Sequence, residues 1–592
     1  PAGTTFADEP VDRKATDEEV TAKNDETGKG ESGKKERFAR RWLYTHPGFD
    51  LRKDDQADSL IKLIHRAKKA GFTGVGVRAS RLMIRGFSLP KNYYTNIERA
   101  VKAAKEADIE LIPRVMSING YSNALLSNNP NLAPGVPVRD CLFVVKDGKA
   151  TVANKQNLLE FGDFEKYSQP HRPDGITFLD VPGEVSFQDT EVVHSGKSSL
   201  RFEHFETATN HGNCRILKKL KVKPWHEYRL SVWIKTEKVP RAHNIDIQIH
   251  GNVTQRPRVG IHKRDIQVAG TQDWKEHHAM FNSLHNSEVW VYIGGWNAGG
   301  GKVWLDDASV QEVAGINMVR REGCPVKVTS EDGSITYEEG RDFERWEYAQ
   351  MGRVRWPGHY QVVHPEPPIV LTENSRIKEG QKLKVSFHHT LHHLNGGMCV
   401  CLSHDEVFDN LRIHFETVHK LYGAKTYMMN QDEIRLAGWC DLCQKHASSG
   451  EALAQCVRRC TDIIHKVDPD ITVVTLSDMF DPIHNAVDNY WMTRGTMKGS
   501  WEGLDKRVVI GNWNQRFKKP SMQFFSKRGH HQVIATYYDR YNWQQVTRDW
   551  MKAAEDIPNV DGIMYTTWSN RYDDLEEFIR LARGEEPESS AR

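Results

Sequence analysis

Tyr427-Met428-Met429-Asn430-Gln431-Asp432-Glu433 reads as a short apolar strand running straight into two adjacent carboxylates. Adjacent acids repel one another, so a strand end carrying both makes chemical sense when one holds a proton and the other stays ionised. The competing reading is a helix start, because Asp and Glu favour the first turn of the helix that follows. Working outward, eight strand-like segments are legible at 42–46, 74–79, 109–115, 425–431, 471–477, 507–513, 532–538 and 562–568, and this is the fourth. Amphipathic stretches lie between them. One carries Leu60, Ile61, Ile64 and Ala67 on a single face and stops at Gly71; another spans roughly 94–107 by its periodicity; a third, near 404–421, has the stripe Phe408, Leu411, Phe415 and Val418. Strand alternating with helix predicts an α/β fold, a (β/α)8 TIM barrel, whose chemistry sits where strands meet their following loops.

The alternation breaks after the third strand. From 158 to 313 the chain reads as short strands separated by Gly, Asn and Asp turns, with no helical pattern, so a large β-sandwich insertion after strand three is expected. Residues 1–36 are polar and charge-rich and predict an extended or disordered arm, because such a stretch buries too little surface to offset its ordering entropy. The expected organisation is therefore the arm at 1–36, the first part of the barrel at 37–157, the sandwich at 158–313, a β-rich extension at 314–400, and the second part of the barrel, with the acid pair, at 401–592.

At 592 residues the chain is long enough for two or three domains. It is 38% hydrophobic and 27% charged, with a formal net charge of +2, so no global field argues for nucleic acid as a partner. No apolar run approaches the roughly 18 residues of a membrane span. The chain begins at Pro1 rather than Met, and the reading expects a secreted or extracytoplasmic protein whose signal precedes it.

The strand ends supply the candidate site. They offer His46, Arg78, Arg114, Asp432 with Glu433, Asp478, Trp513 with Asn514, Tyr537 with Asp539, and Trp568 with Asn570. Aromatic faces stack on the C–H surfaces of a pyranose while carboxylates accept its hydroxyl hydrogens, so this set points to a glycan. Each aromatic alone is as well explained by packing. Their placement at successive strand ends, opposite an acid pair, favours recognition.

On Asp432-Glu433, Tyr537-Tyr538-Asp539, Trp568 and Ile112-Pro113 the barrel half resembles glycoside hydrolase family 20, the retaining β-N-acetylhexosaminidases. The resemblance implies that Asp432 orients the substrate's acetamido group, Glu433 acts as general acid and base, and Tyr537 donates to the acetamido oxygen. It further implies that Asp539 binds a sugar hydroxyl and that Trp513 and Trp568 form walls. His46, Arg78 and Asn570 complete the expected substrate-binding set. Two departures stand out: Pro113-Arg114-Val115-Met116-Ser117 replaces the family's Pro-Glu-Ile-Asp, and Trp568-Ser569-Asn570 replaces Trp-x-Glu. A protein nucleophile would need a second acid about 5 Å away. Strand seven offers no Glu, which favours attack by the sugar's own acetamido oxygen. The expected function is an exo-acting, retaining hydrolase of β-linked N-acetylhexosamine residues, with no cofactor in catalysis. A glycosidase of other specificity, such as a β-galactosidase with a carboxylate nucleophile, and a non-catalytic glycan-binding protein remain open alternatives.

Gly162-Asp163-Phe164-Glu165, Ser195-Gly196-Lys197-Ser198-Ser199-Leu200 and Trp304-Leu305-Asp306-Asp307-Ala308-Ser309-Val310 resemble the jelly-roll carbohydrate-binding modules of polysaccharide enzymes. That resemblance implies a structural calcium held by Asp306 or Glu184, against the reading that these acids cap turns. Trp225, Trp233, Trp274, Trp290 and Trp296 are candidates for a sugar platform or for core. Nine cysteines include Cys440-x2-Cys443 and Cys456-x3-Cys460, the count and spacing of a four-thiolate zinc site, although packed thiols or disulfides fit the same helical pattern. The His388-His389-Thr390-Leu391-His392-His393 run lacks a nearby acid at ligand spacing and is read as loop or site rim.

Overall fold

A computed structural model describes residues 37–84, 88–119, 123–207, 209–251, 260–348, 364–391 and 399–585. The 1–36 arm, His392 and His393 lie outside the described residues.

Eight parallel strands close into a barrel. They are β1 (Arg40–Thr45), β2 (Gly74–Arg78), β3 (Glu110–Val115), β4 (Thr426–Met429), β5 (Thr472–Leu476), β6 (Val509–Asn512), β7 (Gln532–Tyr537) and β8 (Val560–Thr567). Closure is made by β1 on β8, in register from Arg40 beside Gly562 to Thr45 beside Thr567. Helices cover the outside: α1 (Asp54–Ala70), α2 (Lys91–Glu106), α3 (Asp405–Tyr422), α4 (Ser449–Val467), α5 (Lys518–Lys527), α6 (Trp543–Ala553) and α7 (Leu575–Ala582). α1 shows why the pattern is readable. Leu60, Leu63, Ile64 and Ala67 are buried on one face, and Gly71, at φ 108°, takes the left-handed cap that its lack of a Cβ permits. Between β5 and β6 the expected helix is replaced by two 3-10 turns, Asp478–Phe480 and Ser500–Gly503, the second packed on α4 with Gly503 against Ala454.

The barrel has two separate cores. Trp42, Tyr44, Ile112, Met428, Val474, Val533 and Met564 fill its interior, capped by the partly buried Trp513 and Tyr538. A much larger cluster lies between the strands and the helices. Successive residues of a strand point to opposite faces, so Tyr427 packs outward while Met428 points in.

The long excursion between β3 and β4 holds three sheets. Two of five strands each pack as a sandwich around Leu200, Phe202, Leu230, Ile247, Val291 and Leu305. The third has six strands, with Lys382–His389 paired on one side to Lys327–Ser330 and on the other to Val136–Lys146. That last strand lies N-terminal to residue 157, so chain assigned from sequence to the first barrel part contributes to this sheet. The sandwich and the third sheet are joined by a fully buried pair, His389 Nδ1 to Glu227 Oε1 at 3.0 Å, with Asn282 at 3.0 Å from the other ring nitrogen. Among the described residues no helix is long and apolar enough to cross a membrane.

Candidate active site

The acid pair lies just beyond the end of β4, at the C-terminal mouth. Backbone pairing continues past the strands, with Asn430 N–H donating to Val115 O and Ile118 N–H to Asn430 O. This extension brings Asn119 onto the acid pair, where its Nδ2 donates to Asp432 Oδ1 at 2.7 Å. Glu433 takes a left-handed φ of 48°, and its N–H donates to Asp478 Oδ2 at 2.9 Å. Asp478, fully buried at the end of β5, also accepts from Asn485 Nδ2 at 3.0 Å and Trp513 Nε1 at 3.4 Å. Three carboxylates from two neighbouring strand ends therefore share one corner.

Their electrostatics are unequal. Burial, reinforced by the charges of Asp478 and Glu433, pushes the Asp432 carboxyl up to about 7. Burial also raises Asp478, to about 6, against the hydrogen bonds it accepts. The Glu433 side chain instead forms an ion pair with Arg435, Oε1 to Nη2 at 3.2 Å, and that guanidinium lies over the Trp491 ring. The sequence reading places the raised pKa on Glu433 and keeps Asp432 charged; here burial raises the Asp432 carboxyl, and the Arg435 guanidinium stands beside Glu433.

Tyr537 requires a correction. Its ring stacks on Tyr565 at 3.8 Å and its hydroxyl donates to Asp574 at 2.7 Å, on the helix side of the barrel wall. Tyr537, Tyr538 and Asp539 all have left-handed φ values, 81°, 52° and 53°. That kink breaks the two-residue alternation, so Tyr537 turns outward and Tyr538 takes the mouth position beside Trp513. Asp432 and Asp478 are among the charges that hold the Tyr538 hydroxyl protonated.

The remaining expected residues fall around the same mouth with varied tasks. Trp568 is 45% exposed, and its ring lies 4.9 Å from His46 and 6.4 Å from Tyr538, the latter nearly parallel. Asp539 accepts from the Trp568 N–H at 2.7 Å and so fixes that platform. Asn570 is committed to structure: its N–H donates to His46 O, and its Oδ1 accepts from Gly48 N–H and the Tyr572 hydroxyl. Arg114 donates to the Tyr44 hydroxyl at 2.7 Å and to Thr45 O at 3.1 Å. Arg78 is exposed beside it and donates to Ser80 Oγ. Burial, with the charges of Arg114 and Arg78, pushes His46 down to about 4, so His46 is neutral at ordinary pH. One side of the mouth is thus cationic and aromatic, the other acidic.

Asn119 and Arg435 are members that no strand-end reading reaches, and Asp478 and Tyr538 gain their specific contacts only from the fold. Asp478 is legible as a strand end, and Arg435 follows Glu433 by two residues. Asn119 carries no motif at all.

In the sandwich, Asp306 accepts N–H groups from His194, Ser195 and Asp307 on its two carboxyl oxygens, while Glu184 sits exposed in a turn. Trp233 stacks on His194 at 3.8 Å. Trp296 helps to line an end cleft of about 520 Å³ with Glu206, His211, Arg241 and Asn297. Trp225 packs at 5.3 Å on Trp439, in the loop after β4, so the sandwich rests against the segment that follows the acid pair.

Residues 156–302 match the model of a family described as a carbohydrate binding domain. Among solved structures, a "Family 16 Carbohydrate Binding Module-2" is 15% identical over 26% of this chain and 99% of its own, with a TM-score of 0.20. A rhamnosidase from Novosphingobium sp. PP1Y is 9% identical over 92% of this chain and 59% of its own, with a TM-score of 0.33. A GH20 exo β-N-acetylglucosaminidase from Vibrio harveyi is 13% identical over 34% of each chain, with a TM-score of 0.24. No curated protein matches the chain. The sandwich set between β3 and β4 is a carbohydrate-binding module.

Proposed function

We propose that this chain is a glycoside hydrolase whose barrel, of the (β/α)8 type, cleaves a glycan that the module holds. The observation that carries the proposal is the meeting of Asp432, Glu433 and Asp478 at one barrel mouth opposite Trp513, Tyr538 and Trp568. Glycoside cleavage needs a carboxyl that is protonated near neutral pH beside one that is ionised. Asp432, pushed up to about 7, is our candidate for the first, and Glu433, with the Arg435 guanidinium at 3.2 Å, our candidate for the second. Because the three acids interact, they titrate as a unit. Tyr538, with its hydroxyl protonated, is placed to donate to a sugar oxygen, the task the family resemblance gives to the neighbouring tyrosine.

The favoured substrate is a terminal β-linked N-acetylhexosamine, with retention through the acetamido oxygen and Glu433 as general acid and base once substrate displaces Arg435. A second assignment, favoured by the raised Asp432, makes Asp432 the proton donor and Glu433 or Asp478 the charged partner. Nitrophenyl β-GlcNAc, β-GalNAc, β-galactoside and β-glucoside separate these readings when assayed with the wild type, Glu433→Gln and Asp432→Asn. Turnover confined to the acetamido sugars supports substrate assistance. Turnover of sugars without that group sinks it. A donor is identified by a substitution whose loss is smallest with nitrophenolate, a leaving group that needs no proton. A wild type that binds glycans but turns over neither these substrates nor natural oligosaccharides rules out the glycosidase proposal.

A further inference from the structure

Cys440 and Cys443 do not group with Cys456 and Cys460, the partners their spacing suggests. Cys456 and Cys460 hydrogen-bond to each other on α4. The sulfurs that converge on Cys440 and Cys443 come from elsewhere in the chain. Cys401 Sγ lies 3.6 Å from Cys440 Sγ and 3.7 Å from Cys443 Sγ, and these three form a group compact enough to hold a metal ion. Cys324, from the segment between the sandwich and the third sheet, lies beside Cys440 at the edge of this group of three. All four side chains are about 2% exposed.

We propose that Cys324, Cys401, Cys440 and Cys443 form a structural four-thiolate zinc site. With Zn–S bonds of about 2.3 Å, a tetrahedral site has sulfurs about 3.8 Å apart, close to the separations seen here. A disulfide needs its sulfurs at about 2.05 Å and joins only two of them, whereas Cys401 lies within 3.7 Å of both Cys440 and Cys443. Two further features fit a metal. Cys440 and Cys443 lie at the start and within the short helix Asp441–Gln444, a C-x2-C turn that presents both sulfurs to one point. Arg321 lies beside Cys440, and its Nε, Nη1 and Nη2 donate to Asn131 O, Glu322 O and Ala133 O, which places a held cation against a cluster that would carry two net negative charges. Access for Cys324 depends on Gly135, where a Cβ would stand 2.5 Å from its sulfur.

The site would tie three distant parts of the chain together: the segment leaving the sandwich, the segment entering α3, and the loop after β4 that carries Asp432 and Glu433. Its task is to fix that loop, and it stands independently of the glycosidase reading.

Full-length protein purified without chelator is expected to contain one zinc per chain by elemental mass spectrometry. X-ray absorption at the zinc edge is expected to show a shell of four sulfurs at about 2.3 Å. Cys456→Ser should keep the metal and Cys401→Ser should lose it. Since Cys401→Ser may fail to fold, the wild type reconstituted with cobalt provides an independent reading, with thiolate charge-transfer and tetrahedral d–d bands expected. Folded wild type with well under one zinc per chain, a shell containing nitrogen or oxygen, or a mass deficit from a disulfide among these four would each overturn the site.

Discussion

Asp432→Asn removes a charge from a corner that holds three acids, and the consequence for stability can be worked through. A carboxyl raised from 3.8 to about 7 in the folded chain binds its proton more tightly folded than unfolded. Below pH 3.8 it is protonated in both states and contributes nothing. As pH rises the unfolded chain ionises first, so stability is lost progressively between pH 4 and 7, and the loss is complete above 7. At 1.36 kcal/mol for each unit, the full cost of the ionised Asp432 is about 4 kcal/mol, rather more than half of which falls between pH 5 and 8. Water entry and side-chain movement relieve part of such a cost, so we expect roughly half of it, about 1 to 2 kcal/mol, in that window. Asn is isosteric and its Oδ1 can still accept from Asn119, so little else changes. Urea unfolding of both proteins at pH 5 and pH 8 is the assay. Asp432→Asn should be more stable than the wild type at pH 8, and its advantage should shrink at pH 5, while turnover is lost. An advantage that does not change with pH, or a variant less stable at pH 8, would refute the assignment of the buried proton to Asp432.

Further outcomes follow from the same geometry. Tyr538→Phe should lower kcat by about tenfold or more, the scale of losing one aligned donor. Tyr537→Phe should leave kcat unchanged and cost about 1 kcal/mol of stability through its lost bond to Asp574; equal kinetics for the two variants would count against the outward turn of Tyr537. Trp568→Ala should raise KM about fivefold, the equivalent of about 1 kcal/mol of stacking, with thermal stability unchanged because the ring is 45% exposed. His389→Ala strands Glu227, whose carboxyl burial already pushes up, and should cost about 3–5 kcal/mol in urea unfolding near neutral pH. Adding Glu227→Gln should recover part of that loss, and no recovery would show that the pair is not the cause.

Where sequence and structure agree, the physics is local. The face of α1 is legible because helical periodicity places Leu60, Ile64 and Ala67 in line, although Leu63 takes the buried place expected of Ile61. The strands of the module are legible because short alternating segments end in Gly and Asn turns. Asp432 and Glu433 stand out because adjacent acids at a strand end are costly without a purpose. Tyr537 misleads because three consecutive left-handed residues reverse the alternation that any strand reading assumes. The cysteines mislead for a related reason: spacing reports only what is near in sequence, and Cys324 and Cys401 reach Cys440 through the closure of the barrel.

The sequence by itself determined the eight strands, the place of the insertion and the acid pair, all set by periodicity and by the chemistry of neighbouring residues. Only the tertiary structure decided which carboxyl is raised by burial, which tyrosine faces the mouth and which sulfurs converge. Those properties depend on burial and on distances of a few ångströms between segments far apart in the chain. Asn119 meets Asp432, and Cys324 meets Cys440, only after β3 and β4 are brought side by side across the whole inserted module.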